Sequence, residues 1–333
     1  MINPIFAIFA LILAVGAVDT ERGVILEAAR EVNLSEPDVV IFSNFIAFKP
    51  GTGSWVNGRL IFEYVVAADY EQTLVELSAF DSATKYRIAV ERAAGPLAYS
   101  ERMQNFNSTD YLWFRVDLTE QDQGDPVLLE INEYHKRRRD AFPSKLSILD
   151  EQSMQFTDSR FLLSPYRVQT QHTLYEVAER DVIQYTTEST AKMTERGLRY
   201  GPFKSVGPLR FDLVRILFKY ESPSLILTEA SRSIQVSHWG NLAIAESFDM
   251  SNIGAEIKGE FSRVDFHKRT NAKNCLKQIS AKYPWYINSL YFHDFIGNIS
   301  STNAARQEEH VHVEYYPRYP VCGGWKVDWD LGY

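Results

Sequence analysis

His310, His312 and Glu314 stand at alternate positions of one short run. On a strand, alternate residues share a face, and two imidazoles beside a carboxylate could ligate zinc. No companion ligand can be named, and exposed strand histidines are the commoner origin of such a pattern. No metal and no other cofactor is therefore assigned. Gly51-Thr52-Gly53 lacks the spacing of a phosphate cradle and reads as a turn. HExxH, GxSxG, Walker and GxGxxG signatures are all missing from the sequence. With no carboxylate cluster or activating base identifiable, no catalytic residue is assigned, and the expectation is a chain that is not itself an enzyme.

Chemistry done to the chain is easier to locate. Three N-x-[ST] sequons occur, at Asn33, Asn107 and Asn298. Asn298 follows Gly297, a turn residue, and Asn107 lies in the polar stretch 104–110, so both are expected to carry glycan. Asn33 sits close to a strand and is the weakest acceptor. Cys275 and Cys322 are the two cysteines. In an oxidising compartment they form one disulfide or stay as two buried thiols, and both readings are open.

These modifications need a secretory route, and the first residues supply one. Ile5–Val15 is an unbroken apolar run followed by small residues at Gly16 and Ala17, with the first charge at Asp19. That is the layout of a signal peptide spanning 1–17, with the mature chain starting near Ala17 or Val18. A spanning helix needs roughly 20 apolar residues, so the run is too short to be an anchor. No later stretch approaches that length, and the final residues, Asp330-Leu331-Gly332-Tyr333, are not a lumenal retrieval signal.

The apolar fraction of 45% and aromatic fraction of 13% support packed cores and exclude disorder. A formal net charge of −8 makes nucleic acid an improbable partner. The basic run Lys136-Arg137-Arg138-Arg139 reads as a solvated loop beside an edge strand. Period-two alternation recurs at Leu112–Leu118, Val127–Ile131 and Val311–Tyr315, and strands are also expected at Val39–Phe48, Arg59–Val66 and Thr73–Phe80. The best helix candidate is Asn274–Tyr283, with Leu276, Ile279 and Tyr283 at helical spacing. Many short strands and few helices predict an all-β chain of two consecutive β-sandwich domains. Pro223 marks a boundary, giving domains at 18–228 and 229–333, with a fresh strand from Ile234. Glu31–Ser35 ahead of one strand and Ser247–Ser251 ahead of an expected strand at Ala255–Phe261 hint at duplication.

Several ordered strings in the second half resemble ribophorin I. They are Val236-Ser237-His238-Trp239-Gly240-Asn241-Leu242-Ala243, then Ile253–Gly259, then Ile296–Ser300, then Pro317-Arg318-Tyr319-Pro320 with Gly323-Gly324-Trp325 behind it. Ser164-Pro165-Tyr166 and Tyr200-Gly201-Pro202-Phe203 also look like that family. The resemblance implies a non-catalytic scaffold of the oligosaccharyltransferase complex, which moves a preassembled oligosaccharide from dolichyl pyrophosphate to the Asn of a sequon. It implies partners among the other subunits, including the multispanning catalytic one, and contact with nascent polypeptide and the translocon. It implies an endoplasmic reticulum location with the described region in the lumen. Family members are single-pass type I membrane proteins that continue beyond the position of Tyr333. The resemblance therefore implies a second sandwich cut short before the span, with the strand Trp325–Tyr333 unpaired on its outer side. His238, Trp239, Gly240, Pro317, Arg318, Gly323, Gly324 and Trp325 are the family-motif positions. For the tryptophans, core packing is the simpler role. The alternative function is a free lumenal sugar- or peptide-binding β-sandwich module.

Overall fold

The computed structural model describes residues 23–36, 39–56, 59–67, 76–81, 86–88, 90–93, 111–118, 126–136, 138–178, 181–268 and 274–333. The expected signal peptide and Asn107 lie outside the described residues. The fold is all-β, in two units joined near residue 222.

The first unit is built on one long sheet. Its order is β15 (Lys192–Thr194), β16 (Gly197–Val206), β13 (Arg167–Glu176), β1 (Gly23–Asn33), β2 (Val39–Pro50), β9 (Val127–Lys136), β5 (Glu76–Asp81) and β6 (Tyr86–Ile88). All pairings are antiparallel except β1 with β13. Alternation decides which side is buried: Val127, Leu129, Ile131, Glu133 and His135 of β9 point inward.

Two smaller sheets cover that inner face. One runs β3 (Trp55–Val56), β4 (Arg59–Ala67), β8 (Tyr111–Asp117), β7 (Val90–Ala93). Its Leu60, Phe62 and Val116 pack on Ile25, Phe48 and Leu129. The other runs β10 (Arg139–Ala141), β12 (Ser153–Ser159), β17 (Leu213–Lys219), β14 (Val182–Tyr185). Its Phe156, Ile216 and Phe218 pack on Phe42, Tyr175 and Tyr200. One long sheet thus carries two hydrophobic cores, with a seam between them.

The second unit is a five-stranded sheet, β18 (Leu225–Val236), β19 (Leu242–Asn252), β26 (Lys326–Gly332), β22 (Tyr291–Asp294), β23 (Gly297–Asn298). Facing it are β21 (Ile279–Pro284), β25 (His310–Tyr315) and β24 (Thr302–Arg306). Val313, Tyr315, Trp329 and Leu331 lie in the core between them. One short helix, α1 (Arg263–Lys268), precedes β21.

The units touch through β11 (Lys145–Leu146), which pairs in parallel with β20 (Glu256–Ile257). Gln152 is fully buried beside this contact. Its amide nitrogen donates to the Tyr220 and Ser222 carbonyls, both at 3.1 Å, and its oxygen accepts from the Ala255 N–H at 3.0 Å. One side chain therefore satisfies backbone from both units.

Four expectations change. Asn274–Tyr283 is not a helix: Leu276 bridges to Val321, and Ile279, Ala281 and Tyr283 alternate along β21 against β25. The helical spacing was coincident with a period-two pattern, and long-range pairing decides between them. The strand from Trp325 is not open on its outer side, because β26 pairs with β19 on one side and β22 on the other. Among the described residues the terminal strands of this sheet are β18 and β23 instead. Strand β18 starts at Leu225, inside the expected boundary, rather than at Ile234. The expected strand Ala255–Phe261 reduces to Glu256–Ile257, and of the two strings of the hinted duplication Ser247–Ser251 lies inside β19 while Glu31–Ser35 runs past the end of β1.

Candidate functional site

Two constellations stand out, one closed and one open. The closed one fills the seam of the first unit. Arg30, paired across the long sheet with Asn44 and Thr173, points inward where the covering sheet changes. The segment 159–162 crosses there and brings carbonyls that no ladder satisfies. Arg30 Nη1 donates to the Ser159 carbonyl at 2.6 Å and the Phe161 carbonyl at 3.2 Å. The Thr173 hydroxyl and Gln171 amide donate to the Arg160 carbonyl at 2.7 and 3.0 Å. Polar residues occupy inward positions here because buried backbone needs partners.

Charges are balanced in the same place. Asp158 accepts from Arg30 at 2.8 Å and from Arg138 at 2.9 Å. Glu133 lies 2.7 Å from His135 Nε2 and accepts from the Tyr64 hydroxyl and from Asn44 at 3.2 Å. Burial alone would raise the Glu133 carboxyl, but the His135 hydrogen bond and the Arg30 charge outweigh it and hold it below the usual range. Burial, then the Glu133 charge, pushes the Tyr64 phenol well up. The Phe42 ring lies under the Arg30 guanidinium at 4.9 Å and edge-on to His135. Arg30, Tyr64, Glu133, His135, Arg138 and Asp158 line a cavity of about 30 Å³. The Asp158 pairs with Arg30 and Arg138 tie the long sheet to the sheet that covers it.

The basic run ends in this cluster, which corrects its reading as a solvated loop. Arg138 is buried on Asp158, and Arg139 donates to the Leu34 carbonyl at 2.9 Å with its guanidinium over Tyr220. The strand β9 before it is interior to its sheet. A run of like charges in sequence conceals such members because alternation divides them between faces. Glu133 and His135 were findable by extending the inward parity of Val127, Leu129 and Ile131 by two more pairs.

The open constellation is the β18–β19 hairpin. Directly opposed residues share a face. Phe248 and Trp329 are opposed, as are Ala230 and Phe248, and Phe248 packs on the core. The same face passes the opposed ion pair Arg232–Glu246 and continues outward along the hairpin through Ile234 with Ile244 and Val236 with Leu242. The second sheet does not cover it there: Ile234 is 57% exposed and Val236 78%. Ser237-His238-Trp239-Gly240-Asn241 forms the tip. The Ser237 N–H donates to the Asn241 carbonyl at 2.8 Å, and Gly240 takes φ +85°. Trp239 is 92% exposed at this tip, so core packing is not its role.

The other family-motif positions are structural. Arg318 grips Asp294 through two bonds, 2.8 and 3.0 Å, and reaches the Gly297 carbonyl at 3.2 Å. The bonds from Arg318, followed by those from the Gly297 and Ile296 N–H groups, hold the Asp294 carboxyl at about 2. Pro317 lies just past the end of β25, ahead of the bend at Arg318 and Tyr319. A Cβ on Gly323 would sit 1.9 Å from the Ala255 carbonyl oxygen, so only glycine fits. Gly324 takes φ +80°, and Trp325 packs on Phe261 beside the sulfurs. Cys275 and Cys322 are buried and joined as a disulfide.

Asn298 is exposed on β23, in the turn that Arg318 braces. Asn33 ends β1, and its side-chain oxygen accepts from the Ser35 N–H at 2.9 Å. His310, His312 and Glu314 share the outward face of β25, with His312 3.8 Å from Glu314. Glu314 also accepts from the Tyr316 hydroxyl at 2.9 Å. Among the described residues no three His, Cys, Asp or Glu side chains converge as metal ligands. No described helix is long and apolar enough to cross a membrane.

Comparison with known proteins matches residues 26–333 to the family model for ribophorin I. Dolichyl-diphosphooligosaccharide–protein glycosyltransferase subunit 1 of Caenorhabditis elegans is 31% identical over 278 residues, 82% of this chain and 47% of its own length. Subunit 1B of the same-named enzyme from Arabidopsis thaliana is 28% identical over 335 aligned residues, 99% of this chain and 70% of its own. Subunit 1A of that plant is 30% identical over 213 residues, 63% of this chain and 35% of its own. The chain thus spans about half the length of the nematode relative.

Proposed function

The chain belongs to the ribophorin I family, and from that premise we propose that it serves protein N-glycosylation as an accessory part of an oligosaccharyltransferase complex. Its relatives carry the name of subunit 1 of that glycosyltransferase. The role proposed is assembly, not chemistry: the chain positions other subunits in the endoplasmic reticulum, with the described units in the lumen. Nascent polypeptide and the translocon are the further partners this role brings near.

One observation carries the assembly reading. A string typical of the family, centred on Trp239, forms an exposed hairpin tip and is not spent on the chain's own core. Large aromatics left in solvent at the end of an apolar face mark contact surfaces. The densest polar constellation, the seam, is buried, with its ions paired to one another, and serves packing.

The test is co-purification. The tagged chain, expressed in cells depleted of their own subunit 1, should be recovered with the multispanning catalytic subunit and with Asn298 glycosylated. Purified alone, it should show no transfer to an N-x-[ST] peptide in the presence of lipid-linked donor. Recovery of the chain by itself from a detergent-free extract would favour a free lumenal binding module, and transfer by the purified chain would overturn the non-catalytic role.

A further inference from the structure

The outer edge of β18 has features that ordinary edge strands avoid. It is the terminal strand of its sheet among the described residues. Edges are normally blunted by proline, lysine or shortness. This one runs for 12 residues, carries no proline and no lysine, and has its one irregularity at the base, between Leu227 and Glu229. Arg232 is its single basic residue, and it is paired with Glu246 on the neighbouring strand.

The hydrogen-bond pattern shows which groups the edge offers. Ile244 spends both its N–H and its C=O on Tyr333, at 2.9 and 3.0 Å. Ile234 is opposed to Ile244, so it turns its own N–H and C=O away from β19. The alternation extends this to Val236, Arg232 and Ala230. At the tip the Ser237 N–H bonds inward to Asn241, in keeping with that phase. Four residues thus present backbone donors and acceptors to an open edge.

The two faces state what should lie beside it. The core-side face of β18 carries Leu227, Ala230, Arg232, Ile234 and Val236, all exposed; Arg232 is held there by Glu246, and the apolar residues on either side of that pair extend the face that Phe248 and Trp329 bury. The opposite face carries a row of three like charges. Glu229 is opposed to Asp249, and Asp249 to Asp328, so three carboxylates stand side by side across three strands, all exposed. Like charges directly opposed are unfavourable, and a cation next in the row would relieve them.

We propose that β18 is a strand acceptor. Its occupant is an extended segment of a neighbouring subunit of the complex, apolar on the core side and bearing Lys or Arg opposite Glu229. This rests on the assembly reading above. Addition of such a strand would satisfy the edge, cover Ile234 and Val236, and extend the acidic row into a paired one, which is the β-augmentation mode of peptide recognition.

The probe is a nine-residue alternating Lys/Val peptide, capped at both ends, titrated against the full chain. It should bind, and binding should weaken as salt rises. Its version with N-methylated alternate amides should not bind. An alternating Glu/Val peptide should bind worse, and Glu229→Lys should reverse that preference. Ala230→Pro removes one outward N–H while keeping the large apolar side chains, and edge proline is tolerated there. It should weaken the peptide about tenfold, with far-UV circular dichroism unchanged. In cells it should reduce co-purification with the complex. Equal binding by the N-methylated peptide, or no binding by either peptide, overturns the acceptor. Dimerisation of the full chain that Ala230→Pro abolishes would give the edge to a second copy. Flotation with phosphatidylcholine/phosphatidylserine vesicles, lost on Trp239→Ala, would give it to a membrane. If the wild-type chain co-purifies and Ala230→Pro co-purifies equally, the acceptor fails while the assembly reading stands. If the wild-type chain does not co-purify, the assembly reading itself fails, whatever the peptides do.

Discussion

The seam of the first unit and the hairpin of the second treat the same problem in opposite ways. Each is a place where a covering sheet stops before the face beneath it does. In the seam, the gap is filled from within: Arg30, Thr173 and Gln171 take the crossing carbonyls, and Asp158 is shared between two guanidinium groups. In the hairpin, Ile234, Val236 and Leu242 continue the core face into solvent, and the outer edge of β18 has no partner among the described residues. The contrast separates polar residues that complete a fold from apolar residues that await something else. Burial sorts the two where sequence alone ranks charged clusters as functional and apolar strands as core.

The sharpest way to break this comparison is Asp158→Ala. It leaves Arg30 and Arg138 enclosed without their anion. Removing one partner of a buried ion pair costs about 3–5 kcal/mol. Urea unfolding monitored in the first unit should show a loss of that order, and a loss within error would mean the seam is not a bracing element.

Next in size is the disulfide. Cys275 and Cys322 close a loop with a sequence separation of 47. Removing such a link costs about 2–4 kcal/mol. Cys275→Ser with Cys322→Ser should lower the thermal midpoint of the second unit and leave the first unchanged, read by limited proteolysis during heating. Labelling of both cysteines by alkylation without reduction would contradict the bridge.

A smaller effect is set by pH. The Asp294 carboxyl is held at about 2, against about 3.9 unfolded. A depressed acidic group contributes stability that is full above the unfolded value and is lost as pH falls from there through the folded value. The turn carrying Asn298 should therefore loosen between about pH 4 and pH 2, seen as faster amide exchange at Ile296 and Gly297. Arg318→Met should remove that dependence. If it persists unchanged in the variant, Arg318 is not its cause.

Much of the fold was legible from period-two alternation: the strands expected at Arg59–Val66 and Leu112–Leu118 are found as β4 and β8, and β9 and β25 alternate to their ends. What local pattern could not supply was pairing. Ile279, Ala281 and Tyr283 satisfy a strand as well as their neighbours satisfy a helix, and only β25 decides. The acidic row is invisible in sequence for the same reason, because Glu229, Asp249 and Asp328 meet only through register. The string around Trp239 was legible as a marker of family, but its exposure was not. An aromatic beside alternating apolar residues looks like core until the covering sheet is seen to end before it.

The smallest expected effect on stability is also the most telling for function. Trp239→Ala removes a side chain in solvent, so it should change stability by no more than about 0.5 kcal/mol while reducing recovery with the complex. A drop in stability comparable to a core truncation would show that Trp239 is packed.

The central claim, that the hairpin is completed by a partner, is tested most directly by amide hydrogen exchange on the free chain and on the purified complex. In the free chain, the N–H groups of Ala230, Arg232, Ile234 and Val236 should exchange fast, while those of Ser231, Ser233 and Gln235, turned toward β19, should be slower. In the complex, the first set should become protected and the alternation should vanish. Fast exchange of the same four amides in both samples would contradict it.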